Sequence, residues 1–203
     1  MSNLFQTLEY EAFRAGINPR TKESREWFRR RLSTMQRTPV NRRELMREDP
    51  IERRNVRDAQ QIIGNMYMFF YDAKHRDTLP YWDAFPLIIA AGKAKGGFYG
   101  LNIHYLPLPL RAKFLDNLME ITTNNRFDDT TRIKAKYNLL QGSRKFRYFQ
   151  PCWKHYLTTQ VEGKLAYVPP PEWEIAIFLP TAQWQKGKAS DVYKDSRSML
   201  RDV

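Results

Sequence analysis

The stretch from residue 130 to residue 161 combines basic and aromatic side chains and contains no acidic residue. Basic side chains neutralise phosphates, and aromatic rings stack on exposed bases. The pattern therefore indicates a nucleic-acid contact, with docking on an acidic protein surface and a plain solvated face as the alternatives. The residues that we predict for a nucleic-acid contact are Arg132, Lys134, Lys136, Arg144, Lys145, Arg147, Phe146, Tyr148 and Phe149.

Other groupings of reactive residues give little support for catalysis. Cys152 and His155 are three residues apart and could share a helical face as nucleophile and base, but a buried thiol beside a surface histidine is the simpler interpretation. A loop with Asp72, His75 and Asp77 could support acid–base chemistry, yet such residues commonly cap turns. The chain has one cysteine and three histidines. We expect no enzymatic activity, no cofactor and no metal site.

The first 60 residues have a different basic chemistry, because thirteen of their fourteen basic residues are arginines. Arginine keeps its charge in any surroundings and presents a planar fork to carboxylates and phosphates. A helix is predicted over about 19–36. The following stretch, 38–59, has two prolines and no aromatic residue, which is typical of an extended arm, either solvated or ordered against a partner. Partner contacts are predicted for Arg29, Arg30, Arg31, Arg42, Arg43, Arg53 and Arg54.

These residues must be positioned by a compact domain with strands at both ends and helices in the middle. Short apolar runs predict strands at 66–71, 85–91, 98–105 and 174–179. Apolar residues at helical spacing predict helices at about 110–121, at about 128–141 and after Pro151. This order indicates an α+β fold, with a small antiparallel sheet or half-open barrel and packed helices behind the Arg-rich arm. The predicted division is 1–60 (helix and arm), 61–186 (compact α+β domain) and 187–203 (polar C-terminal tail).

The overall composition narrows the class of protein further. The 203 residues carry a formal net charge of +12, which favours polyanionic partners or acidic protein surfaces. No apolar run approaches the roughly 20 residues that are needed to span a bilayer, and the N-terminus lacks the features of a secretory signal. We expect a soluble protein, made inside the cell, with no membrane partner.

Three blocks together carry a resemblance to a known class of protein. They are MYMFFYDAKHRDTLPYWDAFPLII at 66–89, GGFYGLNIHYLPLPLRAKFLDNLME at 96–120, and KFRYFQPCWKHYL with PPEWEIAIFLPTAQWQK within 145–186. The pattern, which also touches EAFRAGINPRTKESREWF near the start of the chain, resembles a virion protein of large contractile-tailed bacteriophages of the T-even type. The resemblance covers about residues 65–190 and implies a virion component without catalysis.

The resemblance and the residues lead to two functional hypotheses. The first is a structural or assembly protein of the tail, baseplate or neck, which clamps neighbouring virion subunits through its arm and its basic–aromatic surface. The alternative is a DNA-binding protein that protects packaged DNA ends. Both hypotheses place the protein in the virion after synthesis in the host cytoplasm.

Overall fold

The computed structural model describes residues 4–35, 41–45, 53–54, 63–123, 126 and 128–201. The helices in these ranges are α1 (Leu4–Arg14), α2 (Lys22–Met35), α3 (Arg42–Leu45), α4 (Leu108–Thr123), α5 (Asp129–Ser143), α6 (Trp173–Phe178) and α7 (Ala189–Arg201). The strands are β1 (Arg53–Arg54), β2 (Met66–Tyr71), β3 (Trp82–Asp83), β4 (Leu87–Ala94), β5 (Gly97–Asn102), β6 (Trp153–Leu157), β7 (Val161–Val168) and β8 (Trp184–Gln185).

Six of these strands form one antiparallel sheet in the order β1-β7-β2-β4-β5-β6, and β3 pairs with β8 in a separate ribbon. Strands β4 and β5 are joined by a tight turn in which Gly96 has a φ of +71°. Glycine adopts this left-handed conformation without steric cost, which explains a hairpin at this point. The predicted α+β fold with a small antiparallel sheet is confirmed.

The sheet is strongly curled and leaves a seam between β2 and β6. The rings of Phe69 on β2 and Tyr156 on β6 lie 5.3 Å apart, although β4 and β5 separate the two strands. In a flat sheet the distance would be about 14 Å, three times the strand spacing. Irregular pairing in β2, between Met68 and Phe70, and in β4, between Ala90 and Gly92, supplies the bends. Across the seam, Leu157 N donates a hydrogen bond to the Tyr71 hydroxyl at 3.3 Å.

The two faces of the curled sheet bury two separate cores. The inner face is filled mainly by aromatic and aliphatic side chains from successive strands, and the outer face is covered by helices. The inner core contains Tyr67, Phe69, Ile88, Ala90, Phe98, Tyr156 and Leu165. The larger outer core includes Phe5, Leu8, Phe28, Leu32, Leu115, Leu118, Trp173, Ile175 and Ile177. Because successive side chains of a strand point to opposite faces of the sheet, each face buries its own set of apolar side chains.

A buried carboxylate fastens α2 to α6. Glu174 is 2% exposed and accepts hydrogen bonds from the Arg20 backbone N–H at 2.9 Å and the Ser24 hydroxyl at 2.6 Å. Arg25 bridges Glu174 and Asp116, the latter on α4. Because a buried charge is tolerated only when it is paired and hydrogen-bonded, this cluster fixes the N-terminal helices on the domain.

The predicted strand at 174–179 is wrong, since the chain there forms the short helix α6. A short apolar run has the same composition whether it is a buried strand or a buried helix. All six residues of α6 are buried, so no polar face reveals its helical period. A 3-10 turn over Pro170–Glu172 leads directly into the helix, and proline favours such a start.

The predicted helix after Pro151 is also wrong. A 3-10 segment over Arg147–Cys152 is followed by strand β6. Side chains in β6 alternate between the two sheet faces, and Tyr156 is buried in the inner core while His155 is exposed. This period of two belongs to a strand.

The ends of the chain contain more helix than predicted. Helix α1 was not predicted, and it contributes Phe5 and Leu8 to the outer core. The segment predicted as a polar tail forms α7, in which Val192 is buried. Within the predicted arm, α3 and β1 are described, and the rest of 36–62 lies outside the described residues. In the described part of the chain, no helix is long and apolar enough to cross a membrane.

We expect Glu172→Gln to stabilise the protein above neutral pH. Glu172 is 7% exposed, and its Oε2 atom is buried with no hydrogen-bond partner among the residues that the structure describes. Burial, with the charge of Glu9, raises the pKa of Glu172 from 4.5 to about 7. Between these values the folded state holds a proton that the unfolded state has lost, so the free energy of unfolding falls as pH rises through this window. The expected gain for the variant at pH 8 is about 3 kcal/mol, at about 1.4 kcal/mol per pKa unit.

Urea unfolding at pH 4 and pH 8 measures this gain, which should vanish at pH 4 because the carboxyl group is then neutral in both states. Glu120→Gln, on the exposed side of α4, is the control and should change little at either pH. An equal gain at both pH values would show that the charge of Glu172 is not the cause.

Candidate functional site

Strand β6 is the edge of the large sheet and presents different chemistry on its two faces. Trp153 and His155 point to the helix side, opposite Leu101 and Tyr99 of β5. Lys154 and Tyr156 point to the inside of the curl, opposite Gly100 and Phe98. Basic and aromatic groups therefore meet on both sides of one strand.

The outward face of β6 carries a basic–aromatic surface, which we call the outer patch. The Arg144 guanidinium lies over two rings, 5.0 Å from the centre of Trp153 and 5.9 Å from that of Tyr99. The Trp153 indole N–H donates to the Ser143 hydroxyl at 3.2 Å, which holds the end of α5 against the sheet. An arginine stacked on rings keeps its planar donors available at its edges. The outer patch comprises Tyr99, Arg144, Lys145, Phe146, Arg147, Trp153 and His155.

Exposure within the outer patch favours contact with a ligand of some size. Phe146 is 64% exposed and Tyr99 is 38% exposed, and Lys145 and Arg147 are exposed beside Phe146. Large exposed aromatic side chains among cations are typical of surfaces that bind nucleic acid or protein. The Nε2 atom of His155 lies 3.1 Å from the Lys95 carbonyl oxygen, so the β4–β5 turn borders the patch.

The inward face of β6 lines a cavity of about 440 Å³ at the seam of the sheet, which we call the seam pocket. Its walls are the open edge of β6, the end of β2 and the loop that follows β2. Most of the lining is aromatic or basic, and its acidic member is Asp83. The lining residues are Tyr71, Ala73, Lys74, His75, Leu79, Tyr81, Trp82, Asp83, Asn102, Tyr105, Lys154, His155, Tyr156 and Leu157.

Lys154 is the half-buried cation of the seam pocket. Its Nζ atom lies 4.1 Å from the centre of the Tyr105 ring. Among the described residues, no carboxylate oxygen lies within 4 Å of this Nζ atom. Burial lowers the pKa of Lys154, because a low-polarity environment disfavours the charged form. An anion bound in the pocket would counter this effect.

Asp83 is held by internal donors and does not act as a free carboxylate in the pocket. Its Oδ2 atom lies 2.6 Å from His104 Nδ1, and its Oδ1 atom accepts from the backbone N–H groups of Phe85 and Gln183. Burial alone raises the pKa of Asp83, but His104 and the backbone donors reverse this effect, and the pKa lies below its usual value. The ionised Asp83 accepts from Nδ1–H, which leaves Nε2 of a neutral His104 to accept from Thr181 Oγ1 at 3.1 Å.

The sequence of contacts Asp83–His104–Thr181 has the order of a nucleophilic triad, but its burial argues for a structural role. His104 and Thr181 are both 0% exposed, and Asp83 is 4% exposed. Thr181 lines neither the seam pocket nor the neighbouring cavity. A substrate would therefore have no path to the hydroxyl group.

A second cavity, of about 490 Å³, shares Tyr71 and Trp82 with the seam pocket. Arg42 lines it, but its guanidinium already donates to the carbonyl oxygens of Thr181 and Ala182 at 2.7 and 2.9 Å. Asp72 and Glu162 also line this cavity. Its mixed charge makes it a poorer anion site than the seam pocket.

Comparison with known proteins gives one match, which extends over nearly the whole chain. A family model described as phage T4 terminal DNA protecting protein matches residues 5–197. The chain belongs to this family. No curated protein and no solved structure matches the chain.

Membership of the terminal DNA protecting family corrects the first functional hypothesis. The expectation of a structural or assembly subunit of the tail, baseplate or neck is wrong, because the family is defined by protection of terminal DNA. The expected resemblance to a protein family of T4-type phages is confirmed. The resemblance was correct about the class of phage. The functional hypothesis was wrong because an arm and a basic patch have a surface chemistry that is equally compatible with protein and DNA partners.

The residues predicted to bind nucleic acid are divided among different parts of this family member. Arg144, Lys145, Phe146 and Arg147 lie together in the outer patch. The Nζ atom of Lys136 instead lies over the ring of Trp173, at 5.6 Å. Phe149 packs on Phe114 with ring centres 5.4 Å apart. The side chains of Arg132, Lys134 and Tyr148 lie outside the described ones.

Three of the seven arginines predicted to bind partner subunits have partners within the described part of the chain. Arg31 forms a two-bond ion pair with Glu11, at 2.6 and 2.9 Å. Arg42 binds the carbonyl groups described above, and the Arg43 guanidinium lies 5.0 Å from the centre of the Phe70 ring. Arg29 and Arg30 are exposed on α2, and the side chains of Arg53 and Arg54 are outside the described ones.

The groupings considered for catalysis are not assembled for it in this family member. Cys152 is 0% exposed, and burial raises the pKa of its thiol to about 12, so it is protonated at neutral pH. Asp72 is paired with Arg76 at 2.8 Å, as expected for a residue that organises a turn. His75 is exposed and lines the seam pocket.

The seam pocket is the functional feature that sequence reasoning missed. Tyr71 and Leu157 are 86 positions apart and meet only because the sheet curls. Lys154 is the residue that could have indicated this pocket in the sequence. It is a basic residue between the aromatic residues Trp153 and Tyr156, in a segment for which we predicted a helix. Correct assignment of β6 would have placed Lys154 and Tyr156 on the same face.

Proposed function

We propose that this protein binds the ends of linear phage DNA and shields them, as a resident of the virion. The description of its family supports this function, and the outer patch is the surface that best fits DNA. The observation that carries the proposal is the arrangement of Arg144 on the rings of Trp153 and Tyr99, next to the exposed Phe146 and Lys145.

The charge of the chain supports binding to DNA. A net charge of +12 attracts a polyanion, and each phosphate neutralised by Lys or Arg releases condensed counterions. The rings of Phe146 and Tyr99 would pack on sugar or on bases exposed at an end. We expect the outer patch to contribute affinity but no sequence specificity, because contacts to phosphates do not distinguish one base sequence from another.

The protein is proposed to act by occupying the end and not by catalysis. The hydroxyl group of Thr181, at the end of the buried series Asp83–His104–Thr181, lines neither of the two cavities described above, and the thiol of Cys152 is buried and protonated. A bound protein that covers the terminal base pairs excludes nucleases by steric means alone.

The proposal is tested with two DNA molecules of equal length. One is a hairpin with a single open blunt end, and the other is a dumbbell that is closed at both ends. We expect the protein to bind the hairpin more tightly than the dumbbell and to slow digestion of the hairpin by an exonuclease. Equal affinity for both molecules, with no protection of the open end, would refute the proposal.

The outer patch is tested by Arg144→Gln, Lys145→Gln and Arg147→Gln combined. The affinity of the wild-type protein should fall with salt, and loss of three phosphate contacts should make the plot of log affinity against log salt shallower. The expected change in the slope is about 2.7, at about 0.9 per contact. The matched control is Lys22→Gln, Arg29→Gln and Arg30→Gln, which removes three exposed charges from α2. If both variants lose affinity equally, net charge and not the patch is responsible.

A further inference from the structure

The seam pocket has the size of a site for one small ligand. Its volume of about 440 Å³ lies in the range of roughly 300–1,000 Å³ that is typical of ligand pockets. A DNA duplex cannot enter a cavity of this size, but one nucleotide can. The pocket lies on the inward face of β6, whereas the outer patch lies on the outward face of the same strand.

Two donors in the pocket lining have no acceptor among the described residues. One is Nζ of Lys154, which lies over the ring of Tyr105. The other is Nε1 of Trp82, which is buried without a hydrogen-bond partner. A buried donor without an acceptor costs free energy, which applies to Nε1 of Trp82, and the ammonium group of Lys154 adds a positive charge. Together they favour a ligand that is negatively charged and rich in acceptor oxygens.

The walls of the pocket suit a flat ring attached to that anion. Tyr81 and Tyr105 lie near each other, with ring centres 6.2 Å apart, and Tyr71 and Trp82 complete an aromatic lining. Stacking of one base on an aromatic side chain contributes a useful part of binding and tolerates any base.

The charge of the pocket excludes a cation as its ligand. Lys74 and His75 line it with Lys154, and the carboxylate of Asp83 is already saturated by internal donors. An aromatic cavity with a cation that has no carboxylate partner is therefore suited to a nucleotide.

We propose that the seam pocket holds the terminal nucleotide of a DNA strand, with the phosphate on Lys154 and the base among the aromatic rings. This inference rests on the proposed function and adds to it a means of telling an end from the interior of a duplex. An internal nucleotide must be unpaired and unstacked on both sides to enter such a pocket, while a terminal one is released at the least cost. The pocket thus selects ends, and the outer patch binds the adjoining duplex.

Lys154→Met is the direct test, because methionine keeps the length of the side chain and removes the charge. We expect the hairpin to lose about tenfold in affinity, the loss of one charge-assisted contact, while the affinity for the dumbbell stays the same. Lys154→Arg should retain the preference for the hairpin. Lys164→Met, exposed on β7, is the matched control and should leave the preference unchanged.

A second readout tests the ligand itself. The wild-type protein should prefer a hairpin with a 5′-phosphate over one with a 5′-hydroxyl group, and Lys154→Met should not discriminate between them. A millimolar deoxynucleoside 5′-monophosphate should reduce hairpin affinity to the level of the dumbbell. If the mononucleotide binds the protein but leaves the preference for ends intact, the pocket takes free nucleotides and the inference is wrong.

The two proposals fail in different ways. A wild-type protein that does not prefer the hairpin over the dumbbell contradicts the proposed function. A folded Lys154→Met protein, verified by circular dichroism, that retains the full preference contradicts the seam pocket alone.

Discussion

Replacement of Arg111 by Met should lower the free energy of unfolding by about 3 to 5 kcal/mol, because its donors satisfy buried backbone acceptors. Arg111 is 4% exposed. Its guanidinium donates to the carbonyl oxygens of Leu106, Ile177 and His104 at 2.6, 3.0 and 3.0 Å, and to the Tyr193 hydroxyl at 2.7 Å. Methionine fills much of the same space but leaves these acceptors without donors.

The size of this loss reflects what the guanidinium joins. It ties the start of α4 to α6, to α7 and to the turn that carries His104, so one side chain links four parts of the chain. Total stability of a domain is about 5–15 kcal/mol, and the variant is therefore expected to unfold at a much lower urea concentration.

Urea unfolding followed by circular dichroism measures the effect of Arg111→Met. Lys113→Met, two residues along α4 and exposed, is the matched control and should change stability by less than about 0.5 kcal/mol. A loss below about 1 kcal/mol for Arg111→Met would mean that the carbonyl groups obtain other donors, and would contradict the structural role given to this residue.

Gly97→Ala should be the most damaging small substitution in the sheet. A Cβ atom at this position would lie 1.9 Å from the carbonyl oxygen of Tyr156 and 2.8 Å from its carbonyl carbon. Both atoms belong to the backbone of β6, so the clash cannot be relieved by rotation of a side chain. Strands β5 and β6 must separate, and the expected cost is about 3 kcal/mol, at the upper end of the usual overpacking penalty.

The same substitution should impair DNA binding, because β6 carries both the outer patch and the seam pocket. Gly142→Ala is the control with the opposite sign: nothing lies within 4 Å of its Cβ position, and in helix α5 alanine should stabilise by about 0.5–1 kcal/mol. Thermal unfolding and hairpin binding of both variants are the measurements. A Gly97→Ala protein with unchanged stability would contradict the close packing of β5 on β6.

The parts of the fold that follow from local pattern could be predicted from the sequence. Alternating or continuous apolar runs fixed β2 and the β4–β5 hairpin, and helical spacing located α2, α4 and α5 close to their observed bounds. Two predictions failed where local pattern is ambiguous. The run at 174–179 is buried on all sides and has no polar face to show its period, and β6 is too short for its alternation to outweigh the helix signal of Pro151.

The candidate site was predictable only in part, for a different reason. A basic–aromatic stretch is visible in one dimension, and it contains Arg144, Phe146 and Lys154, which the structure places in the outer patch and the seam pocket. Which of its members share a surface depends on the curl of the sheet, and this curl is set by pairing among strands that lie largely outside the stretch. Phe149 shows the limit, since its neighbour Phe146 is exposed while its own ring packs on Phe114.

The attachment of the first two helices to α6 also determines when the chain can fold during synthesis. Glu174 meets Arg20 and Ser24 across 154 and 150 positions of sequence. A ribosome that adds about 5–20 residues per second needs roughly 8–30 s to make the intervening chain. Through that interval the contacts of α1 and α2 with α6 cannot form, so the N-terminal helices reach their final packing only after nearly the whole polypeptide has been made.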